Sequence, residues 1–141
     1  MKKLYAAYGS NLNLFQMFHR CPDATIYGRA TLPDHELVFR GHRGCGVATI
    51  EPKEGSSVPI LLWKISKADE KNLDHYEGWP SFYGKETLEF QAGNERVDAM
   101  VYVMTPGHEP ALPSSGYYET IREGYEDCSF DIAVLDRAIE H

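Results

Sequence analysis

The sequence predicts an α+β fold for residues 1–141, taken as one domain: about six β-strands form a small barrel or curled sheet, with helices on its outside. The segments with strand-like patterns mostly follow one another, as expected for hairpin connections. Helical patterns interrupt them at irregular intervals, which does not fit regular βαβ winding. A chain of 141 residues with 43% hydrophobic residues is long enough to bury a core. Periodicity alone does not decide whether the sheet closes into a barrel.

The chain begins with a predicted strand and a short helix. Residues 2–8 contain an apolar, β-prone run that is typical of a buried strand. Residues 13–20 carry apolar side chains at helical spacing. Pro22 ends this helix, because proline has no amide hydrogen to donate.

A β-rich region follows this first helix. Alternating or apolar segments predict strands at 25–32, 36–40, 47–51 and 58–65. Proline, aspartate and histidine at 33–35 indicate a hairpin turn between the first two of these strands. A glycine-rich, basic loop is expected at 41–46, and a polar loop at 52–57.

The remaining chain combines helices with a second hairpin. Ser66 is a suitable N-cap for a helix that runs to Glu77, where Gly78 stops it. Two alternating strands, 83–91 and 96–104, flank a short glycine-containing turn. The last predicted elements are a proline-rich loop at 105–113 and helices at 116–124 and 129–140.

Composition and charge exclude several classes of function. The formal net charge is -7 and no run of basic residues is present, so the sequence does not predict nucleic-acid binding. No apolar run has the length of a membrane span or a signal peptide, so no membrane partner is expected. Cys21, Cys45 and Cys128 form no C-x-x-C pair, which favours the reducing cytoplasm over a disulfide framework. Six histidines show no ligand spacing, so no metal is expected.

The stretch Tyr8-Gly9-Ser10-Asn11 lies where the first strand ends and the first helix is about to begin. A strand–turn–helix junction of this kind can direct several backbone amides at one point. Gly9 lets the backbone approach a ligand because it has no side chain. Such amides can hold a carboxylate or a carbonyl oxygen that gains negative charge. The alternative interpretation is that these residues form only a tight turn.

Glu77 is the second residue that could carry chemistry. A helix dipole is negative at its C-terminus, so this position raises the proton affinity of a carboxylate. Desolvation by the neighbouring aromatic residues Tyr76, Trp79 and Phe82 would raise the pKa further. A carboxylate with a raised pKa is a competent general base near neutral pH. Without burial, Glu77 is one of many surface glutamates.

Two tyrosines form a third feature. Tyr83 follows Glu77 by six residues, and Tyr117 lies at the start of a predicted helix. Aromatic residues in strands and helices more often belong to the core, so a structural role is the alternative for both.

Taken together, these features resemble the γ-glutamylcyclotransferase-like family, which includes the plant avirulence-induced-gene-like (AIG2-like) proteins. Five motifs in the same order carry the resemblance over nearly the whole chain. They are residues 4–12 (similar to Y-G-S-N-L), 46–50 (G-x-A-T-I), 73–78 (L-D-x-x-E-G), Tyr83, and 113–117 followed by Gly124 (P-S-x-x-Y). The resemblance implies a small mixed β-barrel with flanking α-helices, which supplies the closure that periodicity does not.

The resemblance also implies an enzyme, an acyltransferase or lyase without a cofactor. It would release 5-oxoproline from a γ-glutamyl amide or dipeptide, a small-molecule substrate whose α-amine attacks its own γ-carbonyl group. Glu77 is then the general base, and the substrate-binding residues are Tyr8, Gly9, Ser10, Asn11, Leu12, Tyr83 and Tyr117. A γ-glutamylamine cyclotransferase with an amine leaving group, a non-catalytic small-molecule binding protein and an interaction protein are the alternatives.

Overall fold

Within residues 2–140, which the computed structural model describes, five β-strands form a barrel flanked by four α-helices and a one-turn 3₁₀ helix. The strands are β1 (Lys3–Ala7), β2 (Thr25–His42), β3 (Cys45–Ile65), β4 (Tyr83–Ala92) and β5 (Glu95–Met104). The helices are the 3₁₀ helix Ser10–Leu12, α1 (Leu14–Arg20), α2 (Lys67–Glu77), α3 (Ser115–Cys128) and α4 (Ala133–Ile139).

The barrel closes because β1 lies between β3 and β5. The strand order is β1-β3-β2-β4-β5. β1 pairs with β5 in parallel at Tyr5 and Met100, whereas the other neighbouring strands are antiparallel. The predicted fold class, an α+β fold with a small mixed barrel and flanking helices, is therefore confirmed.

β2 and β3 form one long hairpin. The turn predicted at 33–35 and the loop predicted at 52–57 are wrong, because both segments lie within the paired strands. The chain reverses at residues 43–44, inside the predicted loop at 41–46. The predicted strands 25–32 and 36–40 belong to β2, and 47–51 and 58–65 belong to β3, so the strand count is five.

A bulge explains why the pattern of these two strands is interrupted. The pairing register of β2 steps between Pro33 and His35, and β3 carries the extra residues 53–56 at the same point. Asp34 has a positive φ of 57° there, and its carboxylate accepts a hydrogen bond of 3.1 Å from the Gly55 amide. The polar residues of this region therefore lie in a bulge rather than in a connecting turn.

Local signals define α2 at both ends. The Ser66 hydroxyl accepts a hydrogen bond from the Asp69 amide, and the Asp69 carboxylate accepts one from the Ser66 amide, which forms a capping box. Gly78 ends the helix with a φ of 69°. The predicted helix is confirmed, and Glu77 is its last residue. Within residues 2–140, no helix combines the length and the apolar character needed to cross a membrane.

One hydrophobic cluster joins the barrel to the helices. Trp63 of β3, Phe90 of β4 and Val101 of β5 have no exposed surface. Leu73 of α2 and Ile121 of α3 are equally buried and belong to the same cluster. The core therefore fixes the position of α2 and α3 against the strands.

α3 holds the 3₁₀ helix in place at the end of β1. Gly124 packs directly on its backbone: a Cβ atom at this position would lie 2.7 Å from the Asn13 nitrogen and 2.8 Å from the Leu12 carbonyl carbon. The Asn13 side chain caps α1 by accepting from the Gln16 amide, and it donates to the Thr120 carbonyl oxygen of α3. The turn after β1 is thus fixed by a helix from the far end of the sequence.

Candidate active site

A cavity of about 220 Å³ opens beside the turn that follows β1. Seven of the eight residues that the sequence analysis assigns to the site line it: Tyr8, Gly9, Ser10, Asn11, Glu77, Tyr83 and Tyr117. They come from the segment directly after β1, the 3₁₀ turn, the end of α2, the start of β4 and the first turn of α3. The fold therefore brings together segments from both halves of the chain.

The eighth residue, Leu12, does not line the cavity. Its side chain is fully buried, and its amide donates to the Gly9 carbonyl oxygen at 3.0 Å. The Asn13 amide likewise donates to the Ser10 carbonyl oxygen at 3.1 Å. The amides of residues 9–11 come before the first donor of this helical turn, so they have no acceptor within the turn.

Arg20, at the end of α1, orders the polar side chains of the turn. Its Nη1 donates to Ser10 Oγ at 3.1 Å and to Asn11 Oδ1 at 2.5 Å. The guanidinium also stacks on the ring of Tyr76, with 3.4 Å between its carbon and the ring centroid. Asn11 in turn donates through Nδ2 to the Tyr5 hydroxyl oxygen at 3.0 Å. Arg20 thus connects the turn with the end of α2.

Glu77 is the acidic residue of the cavity lining. Protein atoms enclose most of its carboxyl group, and the side chain keeps partial solvent access through the cavity. Burial raises the pKa of Glu77 to about 7, and the positive charge of Arg20 opposes part of that shift. A carboxyl group with this pKa can accept and return protons near neutral pH.

Among residues 2–140, no cluster of three or more His, Cys, Asp or Glu side chains could hold a metal ion.

Ala48 of β3 is held between two tyrosines of the cavity wall. The Tyr83 hydroxyl donates to the Ala48 carbonyl oxygen, and the Ala48 amide donates to the Tyr117 hydroxyl oxygen at 3.1 Å. Burial raises the pKa of both tyrosines above the ordinary value, so both stay protonated. Gly9 faces the same wall: a Cβ atom on Gly9 would lie 3.3 Å from the Ala48 Cβ and 3.7 Å from the Tyr117 hydroxyl oxygen.

Six further lining residues are missing from the predicted site: Tyr5, Val47, Ala48, Tyr76, Phe82 and Tyr102. Val47 and Ala48 lie in the motif at 46–50, but the motif does not indicate which way they face. The rings of Tyr5 and Tyr102 lie 5.9 Å apart because β1 and β5 pair where the barrel closes. A hydroxyl group in an otherwise apolar strand is the one local signal that marks these two tyrosines.

Comparison with known proteins identifies the family. The profile of the family described as "Gamma-glutamyl cyclotransferase, AIG2-like" matches residues 5–120. Over 134 residues, the chain is 34% identical to the gamma-glutamylcyclotransferase of Bos taurus and 33% identical to that of Homo sapiens. Each of these alignments covers 88% of this chain and 70% of the relative.

Solved structures share the fold. One described as a gamma-glutamyl cyclotransferase has a TM-score of 0.87 at 27% identity, and the match covers 98% of this chain and 86% of that one. A yeast gamma-glutamyl cyclotransferase specific to glutathione has a TM-score of 0.68 at 10% identity, over 99% of this chain and 94% of that one. The chain therefore belongs to the γ-glutamylcyclotransferase, AIG2-like family and is an enzyme of the γ-glutamylcyclotransferase type.

Proposed function

We propose that this protein converts a substrate γ-glutamyl-NH-R into 5-oxoproline and the free amine R-NH2. The α-amine nitrogen forms a bond to the γ-carbonyl carbon, and the bond from that carbon to the leaving nitrogen breaks. Because the attack is intramolecular, the protein supplies a folded substrate conformation and proton transfers, without a cofactor. Well-oriented internal attack reaches effective molarities of about 10⁵–10⁸ M. By reaction type, this is an acyltransferase or lyase.

The observation that carries the proposal is that Glu77 and the turn at 9–11 line one cavity. An α-amine has a pKa of about 8, so most of it is a non-nucleophilic ammonium at pH 7. With its pKa raised to about 7, the Glu77 carboxylate is well matched to accept that proton. As the ring closes, the attacking nitrogen loses a second proton and the leaving nitrogen gains one. The Glu77 carboxyl group gives the first proton to the leaving nitrogen, and the carboxylate that this regenerates accepts the second proton and releases it to solvent.

The amides of residues 9–11 suit the permanent negative charge of the substrate's α-carboxylate. The start of a helical turn offers N–H groups and partial positive charge to an anion. Gly9 allows the anion to approach the backbone. Arg20 adds a full positive charge next to Ser10 and Asn11. With its carboxylate anchored here, the substrate's α-amine lies between the turn and Glu77.

Tyr8, Tyr83 and Tyr117 form rigid walls around the glutamyl chain. The Tyr8 hydroxyl donates to the Tyr102 carbonyl oxygen at 2.7 Å, and Tyr83 and Tyr117 are both bonded to Ala48. Walls that cannot rotate favour one folded conformation of the substrate, which is what ring closure requires.

The direct test is mass-spectrometric detection of 5-oxoproline from purified protein. We expect release from at least one of γ-Glu-Cys, γ-Glu-Ala and γ-Glu-ε-Lys, assayed side by side. Turnover of the first two would assign an amino-acid leaving group, and turnover of the third alone would assign a γ-glutamylamine. No 5-oxoproline from any of the three, with a protein that still binds 5-oxoproline, would contradict the proposal.

A further inference from the structure

The hydroxyl protons of the cavity tyrosines are not all available to a substrate. Three of them are donated to protein acceptors: Tyr8 donates to the Tyr102 carbonyl oxygen at 2.7 Å, Tyr83 to the Ala48 carbonyl oxygen, and Tyr102 to Asp74 Oδ1 at 2.6 Å. A tyrosine has one hydroxyl proton, so these three have none left to donate.

The Tyr5 hydroxyl, in contrast, accepts a hydrogen bond and keeps its own proton free to donate. The neighbouring side chains fix this direction. Arg20 can only donate, so the Asn11 atom that faces it must be the amide oxygen. The Asn11 amide nitrogen therefore faces Tyr5 and donates to its hydroxyl oxygen at 3.0 Å. The Tyr5 oxygen is thus the acceptor of this bond. Among residues 2–140, no group accepts the Tyr5 proton.

The unshared proton of Tyr5 belongs to a residue of the cavity wall. Tyr5 is 4% exposed and lines the cavity together with Glu77. Its ring packs edge-on against Tyr102, at 70° between the planes, which restricts its rotation. Burial and the nearby Glu77 charge raise the pKa of Tyr5, so it remains a donor at every working pH.

We propose that Tyr5 is a catalytic residue whose hydroxyl donates a hydrogen bond to the γ-carbonyl oxygen of the bound γ-glutamyl group. This inference rests on the proposed cyclisation. Negative charge gathers on that oxygen when the α-amine attacks. Its electron pair re-forms the carbonyl double bond when the bond to the leaving nitrogen breaks, and the pair of that bond departs with the nitrogen. The proton stays on Tyr5 throughout, so no proton is gained or lost in this step. A donor that is already fixed in position stabilises such charge without reorganising in the transition state.

Tyr117, another cavity tyrosine, accepts a hydrogen bond from the Ala48 amide. Its hydroxyl oxygen would lie 3.7 Å from a Cβ atom on Gly9. Tyr117 is therefore next to the turn whose amides would bind the substrate's carboxylate. In this proposal Tyr117 lies at the anchored end of the substrate, and Tyr5 lies at its γ-carbonyl group. Arg20 and Asn11 are positioning residues for Tyr5.

Tyr5→Phe tests the proposal, because it removes the hydroxyl and keeps the ring. We expect kcat for 5-oxoproline release to fall by about 10²–10³-fold, as when a single oxyanion donor is lost, with KM changing less than about threefold. Tyr125→Phe is the matched control. It deletes another buried tyrosine hydroxyl, one with no hydrogen-bond partner among residues 2–140 and no place in the cavity, and we expect wild-type kcat.

Asn11→Asp tests how the donor is positioned. It replaces the amide donor with an acceptor, so the Tyr5 proton would turn towards residue 11 and away from the substrate. We expect Asn11→Asp to lower kcat in the wild-type background and to lower it less in the Tyr5→Phe background. Equal losses in the two backgrounds would contradict the positioning role.

The outcomes separate this inference from the proposed function. Active wild-type protein with a Tyr5→Phe variant within about threefold of its kcat, or with a change in KM alone, would overturn the role of Tyr5 only. Wild-type protein that releases no 5-oxoproline from any of the three substrates would overturn the proposed function, and this inference with it.

Discussion

The guanidinium carbon of Arg20 lies 3.4 Å from the centroid of the Tyr76 ring, and Tyr76 directly precedes Glu77. This stacking ties the end of α1 to the last turn of α2. The same guanidinium donates to Ser10 and Asn11 in the turn. One side chain therefore helps to set the separation between the proposed carboxylate anchor and the proposed base, and its charge acts on both.

Arg20→Met should change the pH dependence of the reaction. The Arg20 charge lowers the pKa of Glu77 against the larger effect of burial, so removing it raises that pKa further. Because Glu77 accepts a proton only when it is ionised, we expect the acid limb of kcat/KM against pH to move to higher pH. Arg20→Lys keeps the charge and should move the limb less. An unchanged limb in Arg20→Met would show that this charge does not act on the base.

Glu77→Gln should stabilise the protein at high pH. The pKa of Glu77 is about 7 in the folded protein and about 4.3 in an unfolded chain, so between these values the folded state holds more protons. The free energy of unfolding of the wild type therefore falls as pH rises from about 4 to 7, and then levels off. Relative to wild type, the variant should gain about 1–2 kcal/mol on going from pH 4.5 to pH 8, less than the full shift implies because the side chain keeps solvent access. Urea denaturation measures this gain. If the variant and the wild type differed in free energy of unfolding by the same amount at both pH values, the Glu77 carboxyl group would not have a pKa raised by burial.

Gly124→Ala should destabilise the protein and disturb the turn. A Cβ atom there would lie 2.7 Å from the Asn13 nitrogen, so α3 must move away from the 3₁₀ helix. We expect a loss of about 1–3 kcal/mol from overpacking. Gly116→Ala is the control in the same helix, because its Cβ would meet nothing within 4 Å; helix propensity predicts a neutral or slightly favourable effect. Equal thermal stability of the two variants would rule out a tight contact at Gly124.

Gly9→Val should block the substrate site with little effect on the fold. The Cβ atom alone would lie 3.3 Å from the Ala48 Cβ and 3.7 Å from the Tyr117 hydroxyl oxygen, and the two methyl groups of valine extend further into the cavity. We expect affinity for a γ-glutamyl dipeptide to fall at least tenfold by calorimetry, while the circular dichroism spectrum stays native. Wild-type affinity would remove the turn from the binding site.

Local sequence signals account for the parts of the fold that depend on near neighbours. Ser66, Asp69 and Gly78 mark the two ends of α2 through capping groups within a few residues. The same reasoning fails at residues 33–35, where a typical turn composition occurs in a continuous strand. The bulge there depends on pairing with residues 53–56, which no local pattern reveals.

The site, like the fold, has features that the local sequence predicts and features that depend on distant parts of the chain. The turn at 9–11 and Glu77 are recognisable because glycine and a helix-terminal acid have local physical meanings. The burial that raises the pKa of Glu77 is a property of the assembled cavity. The donor direction of Tyr5 depends on Asn11, which contacts it, and on Arg20, which orients the Asn11 amide after α1 has packed on the 3₁₀ helix. Hydrogen-bond direction of this kind requires coordinates.

The most direct measurement of the central claim is 5-oxoproline release by Glu77→Gln, compared with wild type, on the best γ-glutamyl substrate. The amide has the size of the acid but cannot accept the ammonium proton. We predict that release falls by at least about 10²-fold, while the substrate binds with nearly unchanged affinity. Release close to the wild-type rate would contradict the role of Glu77 as the general base.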